Sequence, residues 1–356
     1  MIPSVAKRKV LRAKSKHHRI ALLLIGATVL CSCSRKAGTS KRTTNARTSQ
    51  IRSLSFSGLD QASLIPENTR ELKITTDNGR TWQSTSPGAV GGFECATLID
   101  SKSGFAVNRL GQVFSTDSGG VSWNHVSQIG DFTGANQIEF LNKQDGWLRE
   151  FLGVWRTRDG GMTWKPLIST VTPGVRGQPT GMFVINVDTA VVSASGGQVF
   201  ITKDGGNTWK IESPLAGEFD FNDVWFDSPM HGWVVGSKSL RPLLLETRDG
   251  GDSWKEIPVD NDIFPSSTWF SGSEGWLAGG RRVVEGKSVK VIGILLHTND
   301  GGKQWSIVQL SPDEPSFSRV RFIDKIHGWL VGLNTLYRTD DGGTNWYKTL
   351  ILPPPG

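Results

Sequence analysis

Seven copies of one octapeptide pattern and a second recurrent pattern that opens on Gly-Trp predict an all-β chain folded as a seven-bladed β-propeller. The octapeptides are TTDNGRTW (75–82), TDSGGVSW (116–123), TRDGGMTW (157–164), TKDGGNTW (202–209), TRDGGDSW (247–254), TNDGGKQW (298–305) and TDDGGTNW (339–346). Their tryptophans lie 41, 41, 45, 45, 51 and 41 residues apart. A blade of four antiparallel strands takes about 40–50 residues, so one copy per blade fits that spacing.

Each octapeptide reads as a tight hairpin turn. The Asp carboxylate accepts backbone N–H groups of the turn, and the glycines take backbone angles that other residues resist. The Trp then starts the outer strand and covers apolar surface of its own or an adjacent blade. This use accounts for seven of the fourteen Trp and makes Asp77, Asp159, Asp204, Asp249, Asp300 and Asp341 structural rather than catalytic or metal-binding. The spacing and closing Glu of an EF-hand are absent. Two copies depart from the pattern and predict looser turns: Ser118 fills the Asp slot of the second, and Asn78 fills a Gly slot of the first.

Two further strands recur upstream. An apolar alternation opens blades, as in NQIEFL (136–141), NDVWF (222–226) and SRVRFI (318–323). The next strand begins Gly146-Trp147, Gly232-Trp233, Gly275-Trp276 or Gly328-Trp329, with Gly104-Phe105 as a variant. A third strand, such as GQVFIT (197–202), runs into the octapeptide. Only residues 51–74 remain to complete the first blade, so strand sharing between the chain ends is the expected closure.

The N-terminal region has a different composition. Residues 1–32 carry seven basic residues and no acid, and the apolar run IALLLIGATVLC (20–31) is too short to cross a bilayer as a helix. This is the pattern of a secretory signal. Leu30-Cys31-Ser32-Cys33 resembles a lipobox, which implies cleavage before Cys33 and lipidation of its thiol. Residues 33–50 then form a tether with five cations and no large apolar group. The expected organisation is a lipoprotein signal over 1–32, a basic tether over 33–50 and a propeller over 51–356. The protein is expected to be exported and held on a membrane, facing the periplasm, a thylakoid lumen or the cell exterior. Cys95 would be the one cysteine of the globular part, buried as a small apolar group.

The net charge of +7 belongs to this leader. From residue 51 onward 28 basic residues face 33 acidic ones, so the propeller is mildly acidic and nucleic acid is not an expected partner. No His-rich, Cys-rich or phosphate-loop pattern points to a metal, nucleotide or other cofactor.

The octapeptides match the Asp-box, or bacterial neuraminidase repeat. Combined with the Gly-Trp strand, the pattern covers nearly all of residues 51–350 and most resembles the photosystem II stability and assembly factor family. The resemblance implies a non-catalytic lumenal propeller, lipid-anchored in cyanobacteria, that binds a newly made membrane-protein subunit.

In such a propeller the box turns and the turns between first and second strands share one face. Loops between second and third strands share the other, and here carry Arg109, Arg149, Lys238, Arg241, Arg281, Arg282, Lys287 and Lys290, with Glu150 and Glu285 nearby. The first six of these cations are the candidate docking patch for an anionic partner. Blade-connecting loops of the same face supply Glu218, Asp220, Asp223, Asp260, Asp262, Asp313 and Glu314. An alternative reading is a secreted Asp-box glycoside hydrolase acting on polysaccharide. It would pair Asp220 or Asp223 with Asp260 or Asp262 as two carboxylates about 5–9.5 Å apart.

Overall fold

A computed structural model describes residues 51–352, apart from 68–70, 86–87, 89–91, 216–218, 239–240, 260–262, 287 and 311–313. The expected signal, Cys33 and tether therefore lie outside the described residues, as do Glu218, Asp260, Asp262 and Asp313.

Seven four-stranded antiparallel sheets follow one another along the chain, each made of four consecutive strands. The first strand of each blade is inner and packed against its neighbours: Ile51–Phe56, Phe93–Leu98 and Ala135–Phe140 are buried along their whole length. The fourth strands, such as Gln83–Thr85 and Asn124–Gln128, are largely solvent-facing. This gradient explains the sequence pattern. An inner strand is covered on both sides and alternates apolar residues with buried polar ones, whereas an outer strand is polar and exposed.

Closure differs from the expectation of shared strands. Blade 1 is complete within residues 51–85, with strands Ile51–Phe56, Ala62–Pro66, Leu72–Thr75 and Gln83–Thr85. Twenty-odd residues suffice for its three inner strands because their turns are short. Blades 7 and 1 are joined by side chains instead. Ile51, Leu54, Phe56 and Leu64 pack with Trp329, Val331 and Leu336. Trp82 Nε1 donates to Thr349 Oγ1 at 3.2 Å, and Asn78 Nδ2 donates to Asp340 Oδ1 at 3.1 Å.

Aromatic clusters between blades explain both Trp sets. The Gly-Trp residue of one blade stacks on a Phe from the first strand of the next, and the box Trp of that next blade closes edge-on. Trp233 lies 4.3 Å from Phe270 at 7°, and Trp305 meets Phe270 at 86°. Trp276, Phe322 and Trp346 repeat the arrangement, as do Phe105, Phe140 and Trp164, and Trp329 with Phe56 and Trp82. Each such ring pair adds about 0.5–1.5 kcal/mol beyond its buried area. The neighbour covered by a box Trp is thus the preceding blade. The fully buried tryptophans are Trp147, Trp233, Trp276 and Trp329, while the box tryptophans sit half-buried at the start of the outer strand. Glycine precedes the buried Trp for a steric reason: a Cβ on Gly275 would stand 2.1 Å from the Phe270 ring across the strand pair. Cys95 is fully buried in the core between blades 2 and 3.

Candidate docking site

The box face is built from self-contained turns. In the fourth box the Thr202 hydroxyl donates to Asp204 Oδ1 at 2.9 Å and accepts from the Gly206 N–H at 2.8 Å. Asp204 also accepts from Thr208 N at 2.9 Å and Thr208 Oγ1 at 2.6 Å. These donors, led by the Thr208 hydroxyl, hold the Asp204 carboxyl down at about 2. Asp77 is held at about 2 in the same way, by the Thr81 hydroxyl first. In every blade an N–H at the box tip donates to a carbonyl of the turn between first and second strands, as from Gly205 to Asp188 at 2.7 Å. Box turns and first turns therefore share one face, as expected.

The two irregular boxes are not looser. Ser118 Oγ accepts from Ser122 N at 2.9 Å, and Thr116 Oγ1 accepts from Gly120 N at 3.0 Å, so a hydroxyl replaces the carboxylate. Asn78 adopts φ 57°, the left-handed conformation a Gly would supply, and spends its side chain on Asp340.

The opposite face carries the candidate patch, with one correction. Arg149 is buried, not a rim cation: its Nη1 donates to Pro179 O at 3.1 Å and its Nε to Gln137 Oε1 at 3.4 Å, tying blade 3 to blade 4. It sits within the second strand, Gly146–Glu150, one residue short of the turn, and Glu150 beside it is also buried. Arg109 is exposed in the turn of blade 2. Lys238 and Arg241 flank the second-to-third-strand hairpin of blade 5, and Arg281 and Arg282 lie on the second strand of the adjacent blade 6. Lys238 Nζ stands 4.8 Å from the Phe219 ring centre, and Arg241 pairs with Glu256. Arg282 is exposed.

The carboxylates considered for hydrolysis do not form a matched pair among the described residues. Asp223 is 1% exposed and committed to Arg321, whose Nη2 reaches Asp223 Oδ1 at 3.1 Å and Oδ2 at 2.9 Å. Asp220 is exposed and accepts from Gly196 N at 3.3 Å. Glu314 is buried, accepting from Leu333 N and, at 3.2 Å, from Tyr337 Oη. Among the described residues no group of three His, Cys, Asp or Glu is placed to hold a metal ion.

Sequence reasoning missed a polar layer on the inner strands. Arg321 Nη1 also donates to Ser267 Oγ at 3.0 Å and Thr268 O at 2.7 Å, so one guanidinium of blade 7 joins blades 5 and 6. On the other side of the ring Arg52 donates to Glu94 Oε1 at 3.1 Å, and Glu94 Oε2 accepts from Ala135 N at 2.8 Å, linking blades 1, 2 and 3. Burial pushes the nearby Glu139 carboxyl well above the ordinary range, against the pull of Arg321. The available signal was charge inside an alternating strand, as in Arg319-Val-Arg321, where a loop residue would not alternate.

The geometry defines a class: a seven-bladed propeller with a structural box face and a variable, cation-bearing opposite face. Comparisons narrow that class. The family model described as "Photosynthesis system II assembly factor YCF48" matches residues 213–319, which hold blades 5 and 6. A photosystem II assembly lipoprotein Ycf48 of Synechococcus sp. (strain CC9902) is 33% identical over 132 residues, 35% of this chain and 35% of that protein. The chloroplastic stability/assembly factor HCF136 of Cyanidioschyzon merolae is 33% identical over 214 residues, 52% of this chain and 46% of that protein. The match thus spans about a third of the length of the first of these relatives and just under half of the second. A solved structure titled "YCF48 bound to D1 peptide" superposes with a TM-score of 0.66 at 19% identity, covering 83% of this chain and 94% of that one. YCF48 from Cyanidioschyzon merolae gives 0.64 at 13%, covering 82% and 95%, and both share the fold. These findings support the photosystem II assembly factor family, the one the repeat pattern resembles.

Proposed function

We propose that this chain is a non-catalytic assembly scaffold that docks an anionic segment of a newly made membrane-protein subunit on the basic sector of blades 5 and 6. One observation carries this reading. Lys238, Arg241, Arg281 and Arg282 lie on two adjacent blades, and the same two blades fall within the residues matched by the assembly-factor family. The YCF48 structure bound to a D1 peptide supports a peptide ligand for this chain as well. Arginine and lysine side chains bind carboxylates by charge-assisted hydrogen bonds without any proton chemistry. A photosystem II subunit is the candidate partner, given the names of the relatives.

Binding of a labelled D1 peptide, followed by fluorescence anisotropy, tests the reading. Changing Lys238, Arg241, Arg281 and Arg282 to Gln should weaken binding severalfold, and more at low salt, where screening is least. Folding should stay close to wild type, because exposed charges contribute about 0–1 kcal/mol each. Asp220→Asn should leave binding unchanged. Unaltered affinity in the four-site variant defeats the docking sector.

The relatives' lipoprotein names support export and membrane attachment, and the sequence assigns the attachment to Cys33. Cys33→Ala should abolish lipid labelling and move the protein to the soluble fraction after a salt wash. Retention of the variant on the membrane contradicts lipidation as the anchor.

A further inference from the structure

Blade 6 departs from the other six. Its second and third strands, Glu274–Glu285 and Ser288–Thr298, have 12 and 11 residues, against four to seven in the other blades. The first strand of the blade begins at Ile263, opposite Arg281. Beyond that point Arg282–Glu285 and Ser288–Val291 pair, among the described residues, only with each other and form a two-stranded ribbon.

The register fixes what the ribbon displays. Arg282 faces Val291 and Val284 faces Val289, and side chains two apart share a face with their cross-strand partners. One face therefore carries Arg282, Val284, Val289 and Val291. The three valines are 69%, 53% and 38% exposed. They contribute nothing to the core, and an exposed apolar ribbon is a liability unless something covers it. In sequence the extension is also basic, with Arg281, Arg282, Lys287 and Lys290 against the single acid Glu285.

Topology says which way the ribbon points. The chain enters blade 1 at Ile51, which pairs with Pro66 at the end of the second strand. It therefore enters from the face of the second-to-third-strand turns, the face of the blade 6 ribbon. The residues ahead of that entry include five cations between 34 and 50, with no acid. The N-terminal segment thus joins the propeller on the ribbon's side, away from the box turns.

We infer that the tip of the blade 6 hairpin is a lipid-contacting element that seats Val284, Val289 and Val291 in the interface of an anionic bilayer, with its cations at the headgroups. A convex tip combining apolar side chains with flanking cations suits shallow insertion among anionic lipids. The inference rests on the valines and on the chain's point of entry, and it stands whether or not the neighbouring cations also dock a peptide.

An environment-sensitive fluorophore on Ser288→Cys, in the full chain with Cys31 and Cys33 changed to Ala, reads the tip directly, since Cys95 is buried. The same label on Val121→Cys reads the box face of an identically tethered chain. With vesicles of phosphatidylcholine and phosphatidylglycerol the tip label should shift to the blue and lose iodide quenching severalfold. The box-face label should not change, and vesicles of phosphatidylcholine alone should give a weaker response. V284S/V289S should abolish the tip response, while V284W/V289W should enhance it. Both sites are exposed, and an unchanged urea midpoint of the same samples reports that the propeller is folded. Equal responses at both labels, a response that survives V284S/V289S, or protection that requires added membrane protein rather than lipid would each overturn the inference.

Discussion

Asp204 and Asp223 are both carboxylates saturated with hydrogen bonds, yet they belong to opposite kinds of structure. Asp204 sits in an exposed turn, and its partners Thr202 and Thr208 lie within four residues. Asp223 is buried on an inner strand and meets Arg321, 98 residues away, together with Ser267 of the blade between. The first arrangement is local and recurs around the ring. The second joins three consecutive blades and depends on their packing. Local motifs make each blade, whereas the long-range polar layer ties neighbouring blades together.

The largest expected effect comes from breaking the second kind. Arg321→Met would leave Asp223 buried without its cation, and removing one partner of such a pair costs about 3–5 kcal/mol. The urea midpoint should fall accordingly. Adding Asp223→Asn should recover part of the loss, since no uncompensated charge then remains. A midpoint within error of wild type for Arg321→Met would show that the layer does not hold blades 5, 6 and 7 together.

The same contrast explains what the sequence disclosed. The boxes and the Gly-Trp strands were legible because each encodes its own geometry within about ten residues: a hydroxyl, a carboxylate and a glycine for the turn, a glycine under a Phe for the strand pair. Seven repeats fixed the number of blades. Asp223 and Arg149 were misplaced for the converse reason. Arg149 lies at a strand end next to a loop, and in sequence a strand-end charge reads as a rim charge; Asp223 lies inside the strand Asp220–Phe226, which starts two residues before the apolar alternation read in the sequence. Only the packing of the next blade, through Arg321 for one and Pro179 O for the other, turns it inward. Closure of blade 1 was misjudged because strand sharing is a property of the whole ring, and the short turns that allow residues 51–85 to form four strands carry no strong signal. Of the docking patch, Lys238, Arg241, Arg281 and Arg282 were placed on the correct face because they belong to hairpin turns whose direction follows from strand order alone.

The smallest expected effect concerns acid. Hydrogen bonds hold the Asp77 and Asp204 carboxyls at about 2, and those of Asp159, Asp249, Asp300 and Asp341 are also lowered. A carboxyl whose pKa is lower in the folded chain stabilises it fully above its unfolded value, about 3.9, and ceases to do so as pH falls through the folded value. The boxes should thus contribute unchanged from pH 7 to pH 5 and weaken between about pH 4 and pH 2. Glu139 acts in the other direction, because its raised pKa favours the folded state as pH falls. The wild-type curve alone therefore mixes the two. Asp204→Ser isolates the box, since the second blade already shows that a serine fits that slot with Thr116 and Ser122 as partners. The difference in urea midpoint between wild type and Asp204→Ser should be steady from pH 7 to pH 5 and shrink towards zero near pH 2. It should be small throughout, because the carboxylate is at the solvent edge and its charge is screened. A difference that stays constant down to pH 2 would mean that the turn needs the shape of the Asp side chain and not its charge.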